Sequence, residues 1–103
     1  MKFSKNDIDG IIQANYAKQS FNVEKLAETL GVSGAYLREF ICFEYGICPH
    51  KLIENVRLEK SISYLYKEKV YIVARKIGYS NTRSFRRAFK KKFGMCPGNF
   101  MGG

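Results

Sequence analysis

The sequence is short of the groups that catalysis requires. It holds one histidine, His50, no pair of carboxylates placed to share a cleft and no phosphate-cradling glycine loop. Nothing in it assembles a nucleophile, an acid and a base, so an enzyme is the least favoured class. No run approaches the ~18 apolar residues of a membrane span, although the apolar share of 46% is ordinary for a globular protein. The first ten residues, MKFSKNDIDG, lack the apolar stretch of a secretory leader. A cytoplasmic location is expected for a bacterial source, nuclear or cytosolic otherwise, with no membrane partner. Three cysteines, Cys42, Cys48 and Cys96, make an odd count, and free buried thiols are the default expectation. Cys48, His50 and Cys96 do not form a zinc set, because Cys-x-His is not a zinc spacing. No metal or cofactor is expected.

Nor is there a Ser/Pro-rich linker or low-complexity segment. At 103 residues the chain is one domain, with room for two small lobes on a shared scaffold. The net charge of +9 is distributed unevenly. Residues 1–50 contain 5 Lys and Arg against 6 Asp and Glu, whereas residues 51–103 contain 13 against 3. The excess of +10 in the second half is where attraction to phosphate would reside.

What the sequence does contain is one pattern written twice. Residues 26–49, LAETLGVSGAYLREFICFEYGICP, align with residues 73–97, VARKIGYSNTRSFRRAFKKKFGMCP. Ala27 matches Ala74, Gly31 matches Gly78, Ser33 matches Ser80, Leu37 matches Phe85, Ile41 matches Phe89, Gly46 matches Gly94 and Pro49 matches Pro97. The second copy carries one extra residue between its serine and its phenylalanine. Each copy reads as a short helix, a glycine turn and a longer helix, which is the pattern of a helix-turn-helix.

The periodicity predicts an all-α chain. A first helix covers about residues 5–18, with Ser4 and Asp7 in a capping arrangement. Asn22 caps a second helix stopped by Gly31, and Ser33 caps a third that buries Leu37, Phe40, Ile41 and Tyr45. Pro49 opens a long fourth helix to about Lys67, with Leu52, Ile53, Val56, Ile62 and Leu65 available for burial. Val70, Val73, Ala74 and Ile77 build a fifth, and Ser80 or Asn81 caps a sixth that buries Phe85, Ala88, Phe89 and Phe93. The apolar run at 40–43 cannot all face one core, so Cys42 or Phe43 is expected at a contact with another lobe or subunit. Lobe 1 is thus expected over about 5–48, a linker helix over 49–67 and lobe 2 over 70–101.

In a helix-turn-helix the second helix lies in the major groove and its first turns face the bases. Gly34, Ala35, Arg38 and Glu39 occupy those positions in the first copy, and Asn81, Thr82, Arg83, Ser84, Arg86 and Arg87 in the second. Base contact is expected of Ala35, Arg38, Glu39, Thr82, Arg83, Ser84 and Arg87, with Arg83 and Arg87 four residues apart on one face. Glu39 has an alternative role, holding Arg38 or a lysine in place. Phosphate contact is expected of Ser33, Tyr36, Asn81, Arg86, Lys90 and Lys91, and Lys92 shares the choice of phosphate or solvent. The fourth helix, at nineteen residues and about 28 Å, suits two readers one DNA turn apart.

With these residues in view the chain resembles the DNA-binding domain of the AraC/XylS family of bacterial transcription regulators. The segment IGYSNTRSFRRAFKKKFGMCPGNF is similar to that family's signature, and the first copy with its following helix fits the other half. The resemblance implies seven helices in two helix-turn-helix lobes joined by one long helix. It also implies promoter DNA as partner, activation of transcription and contact with RNA polymerase. A domain able to act as a monomer is expected, within a dimer where a longer regulator carries a sensor domain. The alternative is a protein-interaction module of the same fold that has lost base reading.

Overall fold

A computed structural model describes residues 3–101. Among them seven helices form: α1 (Lys5–Asn15), α2 (Val23–Leu30), α3 (Gly34–Tyr45), α4 (Pro49–Leu65), α5 (Val70–Lys76), α6 (Thr82–Phe93) and α7 (Pro97–Met101). None is long and apolar enough to cross a membrane.

The helix starts follow the expected chemistry. The Ser4 backbone N–H donates to Asp7 Oδ2 at 2.8 Å, closing the entry to α1. Asn22 Oδ1 accepts from the Lys25 N–H at 2.9 Å at the start of α2. Helix α1 ends three residues earlier than the periodicity predicts. Asn15 turns its amide back onto the Ile11 carbonyl at 2.8 Å, closing the helix there.

Two hydrophobic clusters divide the molecule. Ile8, Ile12, Leu26, Leu37 and Ile41 gather with Ile53 in one, and Leu58, Leu65, Val73, Ile77, Phe85 and Phe89 form the other. Helix α4 therefore serves both, burying Ile53 in lobe 1 and Leu58 and Leu65 in lobe 2. Residues 53 and 58 lie roughly 140° apart around the helix axis, at 3.6 residues per turn. Two short apolar stripes on different faces replace one continuous stripe. That is why Leu58, fully buried, was absent from the burial expected of a single face. Leu52, Val56 and Ile62 are only partly buried. Ser61, also fully buried, satisfies its hydroxyl by donating to the Leu58 carbonyl at 2.6 Å.

The thiols depart from expectation. Cys42 and Cys48 are exposed and Cys96 is half-buried. Cys42 sits on the outward face of α3, and Cys48 occupies the cap position before α4. Phe43 is 86% exposed, so neither it nor Cys42 makes a lobe contact.

Candidate nucleic-acid interface

Both reading helices are launched by the same turn. In the first copy the Val32 N–H donates to the Ala27 carbonyl at 3.1 Å, and the Gly31 N–H to that of Glu28. In the second the Tyr79 N–H donates to the Ala74 carbonyl at 3.0 Å, and the Gly78 N–H to that of Arg75. Each pair closes a Schellman-type helix end, which places a left-handed residue at the glycine. Gly31 has φ 73° and Gly78 has φ 96°.

The copies diverge only after that turn. Ser33 Oγ accepts from the Tyr36 N–H at 3.1 Å, and Asn81 Oδ1 accepts from the Ser84 N–H at 2.8 Å. Asn81, rather than Ser80, is therefore the counterpart of Ser33. The extra residue, Ser80, lies between that turn and the cap, which corrects the pairing of Ser33 with Ser80. From each cap the register agrees, with Leu37 and Phe85 both four residues on and both fully buried.

On α6 the buried face holds Phe85 and Phe89, whose rings meet at 5.7 Å with an interplanar angle of 71°. The opposite face exposes Arg83, Ser84, Arg86, Arg87, Lys90 and Lys91, and Thr82 is half-buried at its start. Lys92 does not share that face. Its Nζ reaches back to Asn55 Oδ1 at 3.4 Å and Glu59 Oε2 at 3.9 Å on α4. It ties α6 to the scaffold instead of facing phosphate or solvent.

The acids of the second half are engaged by lysines away from that cationic face. The second half of the chain has Glu54, Glu59 and Glu68 as its acids. Glu54 pairs with Lys51, Glu59 with Lys92 and Glu68 with Lys76. Among the described residues no ion pair holds Arg83, Arg86, Arg87, Lys90 or Lys91. Their field adds up unopposed along one side of one helix, the arrangement that attracts a polyanion.

Helix α3 is different. Gly34 is half-buried, while Ala35, Arg38 and Glu39 are exposed. Glu39 makes no ion pair with Arg38 or a lysine among the described residues, so the bracing role weighed for it is not realised. Tyr36 is 42% exposed, with its ring edge-on to Phe3 at 6.3 Å.

The tertiary structure adds residues to this surface. A cleft of about 380 Å³ runs between the start of α4 and α6, lined by His50, Lys51, Glu54, Ser84, Arg87 and Lys91. His50 and Lys51 thus stand across from the cationic face of α6. Their only signal in the sequence was a place at a helix start, which points nowhere until α6 packs beside it. The lobes follow one another along a body of 46 × 22 × 21 Å, longer than the ~34 Å of one DNA turn.

A family profile described as a helix-turn-helix domain matches residues 26–102. The chain is 27% identical over 85 residues to the HTH-type transcriptional regulator MtrA of Neisseria gonorrhoeae, covering 81% of this chain but 28% of that protein. It therefore spans under a third of that regulator's length. Among solved structures, the C-terminal domain of the two-component response regulator yesN from Fusobacterium nucleatum superposes with a TM-score of 0.90 at 27% identity. That match covers 94% of this chain and 96% of the other. The DNA-binding domain of AdpA, solved in complex with a target DNA, shares the fold with a TM-score of 0.87 at 18% identity, covering 94% and 88% of the two chains.

Proposed function

The chain belongs to the AraC/XylS family of helix-turn-helix DNA-binding domains, and we propose that it binds promoter DNA sequence-specifically with α3 and α6 in successive major-groove segments. The observation that carries this reading is the row of unopposed cations on the exposed face of α6. Arg83 and Arg87 read bases, because a guanidinium can bond both O6 and N7 of guanine. Thr82 and Ser84 flank them at the first turn. Arg86, Lys90 and Lys91 hold the backbone, joined by Lys51 and His50 across the cleft. Asn81 and Ser33 use their oxygens as caps, which leaves the Asn81 amide and the Ser33 hydroxyl hydrogen for phosphate, with Tyr36 beside Ser33. Ala35, Arg38 and Glu39 make the sparser first reader, in which Ala35 meets a thymine methyl and Glu39 accepts from cytosine N4.

Selection of bound duplexes from a random pool at about 150 mM salt, where phosphate attraction is partly screened, tests the proposal. Two motif centres about 34 Å apart are expected. Arg87→Ala should cost ~1–3 kcal/mol at one base pair and relax preference there. An Arg87→Ala motif identical to that of the parent protein would remove Arg87 from base reading. Lys91→Ala should weaken binding to every sequence alike and lower the slope of log affinity against log salt by about 1. A changed motif with an unchanged slope would contradict the backbone role.

In the same reading the protein raises transcription from the promoters it occupies, through contact with RNA polymerase. It acts as a monomer through this domain and as a dimer within a longer regulator. A promoter–reporter comparison with Arg87→Ala gives the sign. A second reading, an interaction module without base reading, draws on Phe43 and on the single cation, Arg38, of the first reader. No enrichment from the pool, with self-association in sedimentation, would favour it.

A further inference from the structure

The two lobes meet in a knot of contacts at the middle of α4, centred on Arg57. Its Nε donates to the Tyr16 carbonyl at 2.8 Å, and its Nη2 donates to those of Lys18 at 3.1 Å and Phe21 at 3.0 Å. All three belong to the segment that leads from α1 into α2, the entry to the first helix-turn-helix. A planar guanidinium presents its donors as a fixed fork and can gather several carbonyls at once, which an ammonium group does less well.

The same guanidinium is closed off by the other lobe. Gly78 approaches so near that a Cβ there would lie 2.8 Å from Arg57 Nε, and nearer still to the Tyr16 carbonyl oxygen. Gln19 Nε2 donates across the junction to the Tyr79 carbonyl at 3.4 Å. The Tyr79 hydroxyl is buried beside Glu54 and Arg57 without a well-formed hydrogen bond among the described residues. Burial first, and the Glu54 carboxylate second, push that phenol above its ordinary range. Gly78 and Tyr79 form the turn that aims α6.

Resting on the two-reader function proposed above, we infer that Arg57 is a positioning residue that holds the lobes at one separation and so sets the half-site spacing the protein accepts. The reason is geometric. Two linked modules gain avidity only where the link lets both engage, and a rigid link confines that gain to one spacing. Adding one base pair both lengthens and rotates the second half-site, so a stiff junction penalises it and a loose one follows it.

The test is fluorescence anisotropy of the full chain on duplexes carrying the selected half-sites, with their separation changed by one, two or three base pairs. The parent protein should lose about 100-fold in affinity at the first wrong spacing. Arg57→Met and Arg57→Lys should flatten that penalty to about 10-fold or less and leave binding to a single half-site unchanged. Gln19→Ala alters an exposed side chain, so it keeps the fold and should shift the profile the same way by about 2-fold. A merely structural role would lower affinity equally at all spacings. An unchanged profile in every variant with native helicity, Gln19→Ala included, overturns the inference. Parent binding that is indifferent to spacing overturns the clamp, since a loose junction follows the second half-site, whereas selected motifs that contain a single half-site overturn the two-reader function itself.

Discussion

Gly78→Ala should lower the free energy of unfolding by about 2–5 kcal/mol, much more than the same change at Gly31. Both glycines hold left-handed backbone, at φ 96° and 73°, where a Cβ costs roughly 1–2 kcal/mol. Their surroundings differ. A Cβ on Gly31 meets nothing within 4 Å, whereas one on Gly78 runs into the Tyr16 backbone carbonyl and the Arg57 guanidinium. A backbone oxygen cannot swing aside as a flexible side chain can, so the lobes must part or the turn must deform. Overpacking of that kind adds about 1–3 kcal/mol. Urea denaturation of both variants separates the shared conformational cost from the steric one. Equal midpoints for the two variants would show that the junction yields without penalty.

Phe89→Ala should cost about 3–5 kcal/mol, the range for a buried aromatic truncated in a core. Phe89 is fully buried. Its ring lies 5.7 Å from Phe85, 4.6 Å from Phe93 and 5.7 Å from Phe100. Three partners lose their packing together, and one of them, Phe100, belongs to α7. Against a total stability of about 5–15 kcal/mol for a typical domain, such a loss leaves little margin. DNA binding should fail as temperature rises before any charged residue has been changed, because α6 is held in place by this cluster. Phe43→Ala is the control. At 86% exposure it should shift stability by no more than about 0.5 kcal/mol. Thermal unfolding followed by circular dichroism measures both, and a small shift for Phe89→Ala would mean that lobe 2 repacks around the cavity.

Much of the candidate surface was legible in the chain because it depends on local relations. Gly31, Gly46 and Gly94 ended helices where the pattern required, and Asn22 and Ser33 capped them. Arg83 and Arg87 are exposed opposite Phe85 and Phe89, as a spacing of four residues dictates. The misreadings have a common origin. Cys42 and Cys48 were expected to be buried because cysteine usually is, and packing put one on an outward helix face and the other at a cap. Ser80 and Asn81 were equally good caps by residue type. Only the hydrogen bond from the Ser84 N–H to Asn81 decided between them.

By itself, then, the sequence determined six of the seven helices, their order, the two matched turns and the half of the molecule that carries positive charge, while α7 was implied only by the family resemblance. These follow from relations between residues three or four apart and from composition, which any folded arrangement preserves. The tertiary structure alone decided that α4 buries Ile53 in one lobe and Leu58 in the other. It alone turned Lys92 onto Asn55 and Glu59, set His50 and Lys51 opposite Arg87 and Lys91, and brought Arg57 to the carbonyls of Tyr16, Lys18 and Phe21. Those contacts join residues 33 to 41 positions apart. No local period encodes such pairs, because they exist only once two separate cores have formed on one shared helix.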